Sequence, residues 1–119
     1  MKITRLYNGA NGESRFEELE IPLEECGAIG RLSEPWPASG VIFRETDPDY
    51  DYDWHPAPQR QFIIMLEGEL EIEAGSGETR HFSPGDILLV EDTTGRGHRS
   101  RTTDNSVRKT IFITLDDAG

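Results

Sequence analysis

The chain has 119 residues, 34% of them apolar, which suits one compact domain with a modest core. Its 23 acidic residues against 12 basic ones give a net charge of −11, which sets it against a nucleic-acid backbone or an anionic membrane surface as partner. Cys26 is the only cysteine, so an intramolecular disulfide and a multi-cysteine zinc site are excluded, and a reducing cytoplasm is the expected compartment.

From the N-terminus, Met1-Lys2-Ile3-Thr4-Arg5-Leu6-Tyr7 has no apolar run behind its positive charge and does not read as a signal peptide. No stretch sustains a 3.6-residue apolar period. Turn formers recur instead at short intervals (Asn8-Gly9, Asn11-Gly12, Ser39-Gly40, Gly68, Gly75-Ser76-Gly77, Pro84-Gly85, Gly95, Gly97), and β-branched and aromatic residues fill the gaps. That spacing predicts an all-β, antiparallel sandwich or barrel. Residues 1–119 read as one domain, with a barrel core at about 40–115 and additional N-terminal strands in 1–39.

Residues 47–58 carry Asp47, Asp49, Asp51 and Asp53 among Pro48, Tyr50, Tyr52 and Trp54, a loop leading into a strand at about Asp53. The clearest strand pair is read over residues 61–74. Its first strand, Phe62-Ile63-Ile64-Met65-Leu66, is apolar on both faces, so the N-terminal strands or a second subunit must cover the outer one. A homodimer is expected. It is also too short to span a bilayer. The partner, Glu69-Leu70-Glu71-Ile72-Glu73-Ala74, alternates charged and apolar residues and keeps one wet face. Pro84-Gly85-Asp86 opens a buried run at Ile87-Leu88-Leu89-Val90. His81 lies between Arg80 and Phe82, where alternation sends it to solvent. Asp104-Asn105-Ser106 reads as a hairpin turn before a last strand over residues 108–115.

Two histidines bracket the central strands. His55 is followed at the sixth position by Gln61, and Gly68 stands seven residues beyond. Pro84-Gly85-Asp86, the apolar strand and the loop Glu91-Asp92-Thr93-Thr94-Gly95-Arg96-Gly97 lead to His98. Over about residues 40–115 this resembles the cupin superfamily. The resemblance implies a single-domain jelly-roll barrel holding a divalent metal on three histidines and a glutamate. His55 and His98 match two of the histidines, Gln61 replaces the glutamate, and Ala57 replaces the remaining histidine.

The resemblance therefore places a candidate metal site at His55, Gln61 and His98, with Asp53 as substitute ligand because residues two apart share a strand face. Asp92 is a weaker substitute. Imidazole and amide donors suit Fe, Mn, Ni or Zn, though no ligand of the three is an anion. The same side chains also suit a polar pocket in which each buried group is hydrogen-bonded. Ile63 and Met65 share a face with Gln61 and are expected to line the cavity, whereas Tyr52 and Trp54 fall opposite His55. Arg44, Arg60 and Arg96 read as surface ion-pair partners in so acidic a chain, with a substrate carboxylate as the alternative partner of each.

Three functions suit these residues, and all take a small-molecule ligand. One is a metal-dependent enzyme acting on a compact polar or aromatic metabolite. The second is a metal-free binding module. The third is a metal-free acid–base enzyme in which Asp53 or Asp92 sets the tautomer of a histidine.

Overall fold

The computed structural model describes residues 1–116. Twelve strands run through them: β1 (Lys2–Asn8), β2 (Ser14–Glu20), β3 (Glu24–Glu25), β4 (Arg31–Leu32), β5 (Ala38–Thr46), β6 (Asp51–His55), β7 (Gln61–Glu67), β8 (Leu70–Glu73), β9 (Thr79–Phe82), β10 (Ile87–Glu91), β11 (His98–Thr102) and β12 (Arg108–Leu115). One 3₁₀ turn (Gly27–Ile29) is the only helical element among the described residues. Among the described residues no helix is long and apolar enough to cross a membrane.

Two sheets carry the architecture. A six-stranded sheet has the order β2-β1-β10-β7-β12-β5, and a four-stranded sheet the order β6-β11-β8-β9. β1 runs parallel to β10, and the other pairings are antiparallel. The sheets do not close into one continuous barrel, but the all-β jelly-roll arrangement expected from the resemblance is present.

Between the sheets lies the main core: Leu6, Phe16, Met65, Leu70, Ile72, Phe82, Leu88 and Val90 are buried there. The wet face of β8 is as alternation requires. Glu71 pairs with Arg101, and Glu73 with Arg99.

The turn at Gly68 departs from the sequence reading. Residues 61–74 do form two strands, but β7 belongs to the large sheet and β8 to the small one, so they are not a hairpin. Gly68 changes sheets with φ +84°, and a Cβ there would lie 2.9 Å from Cα of Arg108. Turn residues announce a reversal, while the facing apolar sides of β7 and β8 decide that the reversal spans the core. The same correction applies at Asp104-Asn105-Ser106. Ser106 Oγ donates to Asp104 Oδ2 at 2.8 Å as in an ordinary turn, yet the turn links β11 in one sheet to β12 in the other.

The outer face of β7 is covered in part by the chain itself. Phe62 meets Trp36 edge-on at 5.1 Å and packs against a second cluster of Ile3, Leu89 and Leu115. Residues 2–20, beyond the expected barrel core, thus supply two strands of the large sheet and bury Leu6 and Phe16. β5 is the far edge of that sheet and leaves Val41 and Phe43 on the surface.

Candidate functional site

β6 and β11 pair with His55 opposite His98 and Tyr52 opposite Ser100, so three steps along β6 face two along β11. That is a β-bulge. It places Tyr52 against His55, ring centroids 3.8 Å apart, and both side chains line the same cavity. Strict alternation puts Tyr52 on the opposite face and Asp53 beside His55; the bulge reverses both. Asp53 is exposed, its Oδ1 accepts from the Trp54 N–H at 2.9 Å, and it does not line the cavity. It is therefore not a substitute ligand. Trp54 lies outside, under Arg96 at 3.8 Å.

Gly97 makes the close approach of the two histidines feasible. Its φ is +78°, and a Cβ there would lie 2.0 Å from the His55 carbonyl oxygen. The rings of His55 and His98 stand 4.6 Å apart between centroids, inclined at 57°. His98 Nδ1 is 2.6 Å from Asp92 Oδ2, with His98 7% and Asp92 0% exposed. The other carboxylate oxygen, Oδ1, is buried with no partner among the described residues. Of the two acids placed to set a tautomer, Asp92 is the one that reaches a histidine. With Nδ1–H donating to the carboxylate, a neutral His98 presents an unprotonated Nε2 to the cavity.

His55 is held in the same tautomer by a backbone group. Its Nδ1 donates to the Asp53 carbonyl at 2.7 Å, since a carbonyl only accepts. Desolvation lowers its pKa below the ordinary 6.5, and His98 and Arg44 add to the lowering. Its unfolded form therefore binds a proton more readily than its folded form. Stability from this group is intact above about pH 6.5 and falls as the pH drops towards the lowered native value. Urea midpoints measured between pH 7.5 and 5.5 should decline, and the decline should be smaller in His55→Gln. An unchanged slope in that variant contradicts the assignment.

The cavity between the sheets has a volume of about 540 Å³. Ile63, Ile72, Val90 and Phe112 supply apolar wall, and Gln61, buried at the start of β7, adds an amide. Met65 does not line it. Its side chain packs into the core between the sheets at 1% exposure, and its backbone pairs with the Pro84-Gly85-Asp86 turn, Met65 N to Asp86 O and Gly85 N to Met65 O. His81 sits on the surface against Glu69, as expected.

Two arginines reach the cavity. Arg44, singled out in the sequence, lies over Tyr50 and Phe112. Arg108 was missed. It sits at the first inward position of β12, ahead of Thr110 and Phe112, and is 4% exposed. The inward alternation Arg108-Thr110-Phe112 was the available signal, masked because a buried arginine is rare enough to be read as surface. Neither arginine forms an ion pair among the described residues. Arg60, by contrast, is bound to Glu91 at 2.6 Å.

These residues do not fit a resident divalent metal. The free donors are two imidazole Nε2 atoms and the neutral Gln61 amide, and Ala57 offers none. No group of three His, Cys, Asp or Glu side chains able to hold a metal occurs among the described residues. Among the described residues the cavity lining contains no Asp or Glu but includes both Arg44 and Arg108. A divalent cation there would have no carboxylate among its direct ligands, the nearest anion being Asp92 behind His98.

Solved structures share this architecture. A cupin 2 conserved barrel domain protein from Salinispora arenicola aligns at 19% identity and a TM-score of 0.53, covering 71% of this chain and 72% of that one. The cupin domain of Schizosaccharomyces pombe Cnp3 aligns at 12% identity and a TM-score of 0.51, covering 98% of this chain and 83% of that one. No match was found among curated proteins. Residues 44–112, which hold both histidines, Gln61, Gly68 and the Pro84-Gly85-Asp86 turn, match the cupin domain, and the chain belongs to that family.

Proposed function

We propose that the cavity binds a compact organic molecule directly on protein side chains, without a resident divalent metal. The observation that carries this reading is the composition of the lining: apolar walls, two histidines, one glutamine, two arginines and, among the described residues, no Asp or Glu. A volume of about 540 Å³ lies within the range of small-molecule sites, and a few polar groups converging in an apolar cavity are how such sites fix a ligand. Both Nε2 atoms accept hydrogen bonds when the rings are neutral, so the ligand presents a hydroxyl, an N–H or an acidic C–H between them.

A second reading is acid–base catalysis, favoured by the Asp92–His98 pair. A carboxylate with no solvent exposure behind a histidine whose other nitrogen faces a cavity is the arrangement a general base requires. His98 would take the proton, and Asp92 would hold the ring and stabilise the imidazolium. The family alone does not choose between binding and catalysis.

Metal analysis of protein purified without chelator or affinity tag tests the metal-free part. Metal should be well below one equivalent and should not return on adding Fe, Mn, Ni or Zn. Gln61→Glu supplies the absent anion, and calorimetry should find zinc bound at least about tenfold more tightly, the effect of one added charge contact in a partly wet site. Stoichiometric metal in the unaltered protein contradicts the proposal.

A further inference from the structure

Arg108 poses a question that the histidines do not answer. It is 4% exposed, and among the described residues its side chain has no ion-pair partner and one hydrogen bond, from Nη1 to Thr102 Oγ1 at 2.9 Å. Its guanidinium lies 4.9 Å from the Tyr50 ring centroid, and Arg44 lies 5.5 Å from the same ring. Two positive charges thus share one aromatic neighbour at one end of the cavity. Burial pushes the Arg108 pKa down from its ordinary value, and Arg44 pushes it further the same way. Thr110, also in the lining, has a buried Oγ1 with no partner among the described residues.

The two ends of the cavity differ. β11 carries His98, Ser100 and Thr102 at successive same-face positions, about 13 Å from first to last along an extended strand. The His98 end presents proton acceptors. The Thr102 end presents Arg108, and Ser100 between them is bridged to Tyr50 Oη at 3.0 Å. Arg44 stands opposite Thr110 in the β5–β12 register.

Resting on the reading of this cavity as a ligand site, we infer that its ligand is an organic carboxylate. The carboxylate is bound by Arg108 and Arg44, an apolar or aromatic body fills the middle, and a hydrogen-bond donor points to His55 and His98. A buried guanidinium with no ion-pair partner among the described residues carries an uncompensated desolvation cost, and a planar carboxylate is the group to which its fork donates two parallel hydrogen bonds. The walls favour an organic anion over an inorganic one, because phosphate brings charge with no apolar surface to bury.

The probes are 4-hydroxybenzoate, its neutral isostere 4-hydroxybenzamide, and inorganic phosphate, titrated into the whole protein by calorimetry and by NMR with labelled histidine. The benzoate should bind at least tenfold more tightly than the benzamide and than phosphate, and it should shift the His55 and His98 resonances. Arg108→Met and, independently, Arg44→Met should each weaken the benzoate about tenfold while changing the benzamide little. The urea midpoint of Arg108→Met should be unchanged or higher, since a purely structural arginine would lower it. Equal binding of benzoate and benzamide, with both variants neutral, overturns the carboxylate inference and leaves the ligand cavity standing. Tighter binding of phosphate than of benzoate overturns it as well. Failure of both organic probes to shift the histidines overturns the inference and the cavity reading together.

Discussion

Gly97→Ala should destabilise the protein by about 3 kcal/mol and disorder the two-histidine site with it. Two costs combine. A left-handed φ of +78° is unfavourable for any residue with a Cβ, and here that Cβ meets the His55 carbonyl oxygen at 2.0 Å and Pro56 N at 2.4 Å. Neither atom belongs to a flexible side chain, so β6 or the β10–β11 loop must move. Gly77→Ala is the matched control. Its φ is +93° and nothing lies within 4 Å of the added carbon, so only the backbone strain of about 1 kcal/mol applies. Urea unfolding should separate the two variants by about 2 kcal/mol. Equal losses would show that the contact with His55 is not what fixes Gly97.

Asp92→Ala should lower stability by about 2 kcal/mol, because His98 Nδ1 is left buried without its acceptor. The chemical consequence is larger than the energetic one. Without the carboxylate nothing holds the proton on Nδ1, so His98 Nε2 ceases to be a fixed acceptor in the cavity. Nitrogen-15 spectra of the histidine rings should show an Nδ1–H tautomer for neutral His98 in the unaltered protein and a tautomer mixture in Asp92→Ala. Asp92→Asn keeps the volume and can still accept through its amide oxygen, so it should recover most of the stability. A His98 ring with the same tautomer in all three proteins would remove Asp92 from its positioning role.

Much of the fold could be read from residue spacing. Ile87-Leu88-Leu89-Val90 and residues 108–115 are strands where expected, and β8 buries Leu70 and Ile72 while keeping its glutamates wet. Pairing could not be read. Gly68 and Asp104-Asn105-Ser106 both mark reversals, but a turn residue specifies local φ and ψ and carries no information on which sheet receives the next strand.

The site divides along the same line. His55, Gln61 and His98 do meet the cavity, since their positions follow from the turn and glycine spacing. Asp53 and Tyr52 exchange faces because one bulge in β6 breaks the period of two, and no residue type between 52 and 55 announces it. Met65 shares its strand face with Ile63 as expected, but one step further along that face the side chain packs into the inter-sheet core instead of lining the cavity. Arg108 was hidden for an energetic reason: an arginine is assigned to the surface until a structure shows it inside.

The central claim is that His55 and His98 face a ligand and not a metal. It is tested most directly by a crystal structure of protein purified without chelator, with anomalous data collected above the iron, nickel and zinc edges. The account predicts no anomalous peak between the rings, and water or an organic molecule in hydrogen-bond contact with both Nε2 atoms. A full-occupancy anomalous peak about 2.1 Å from both Nε2 atoms would contradict it.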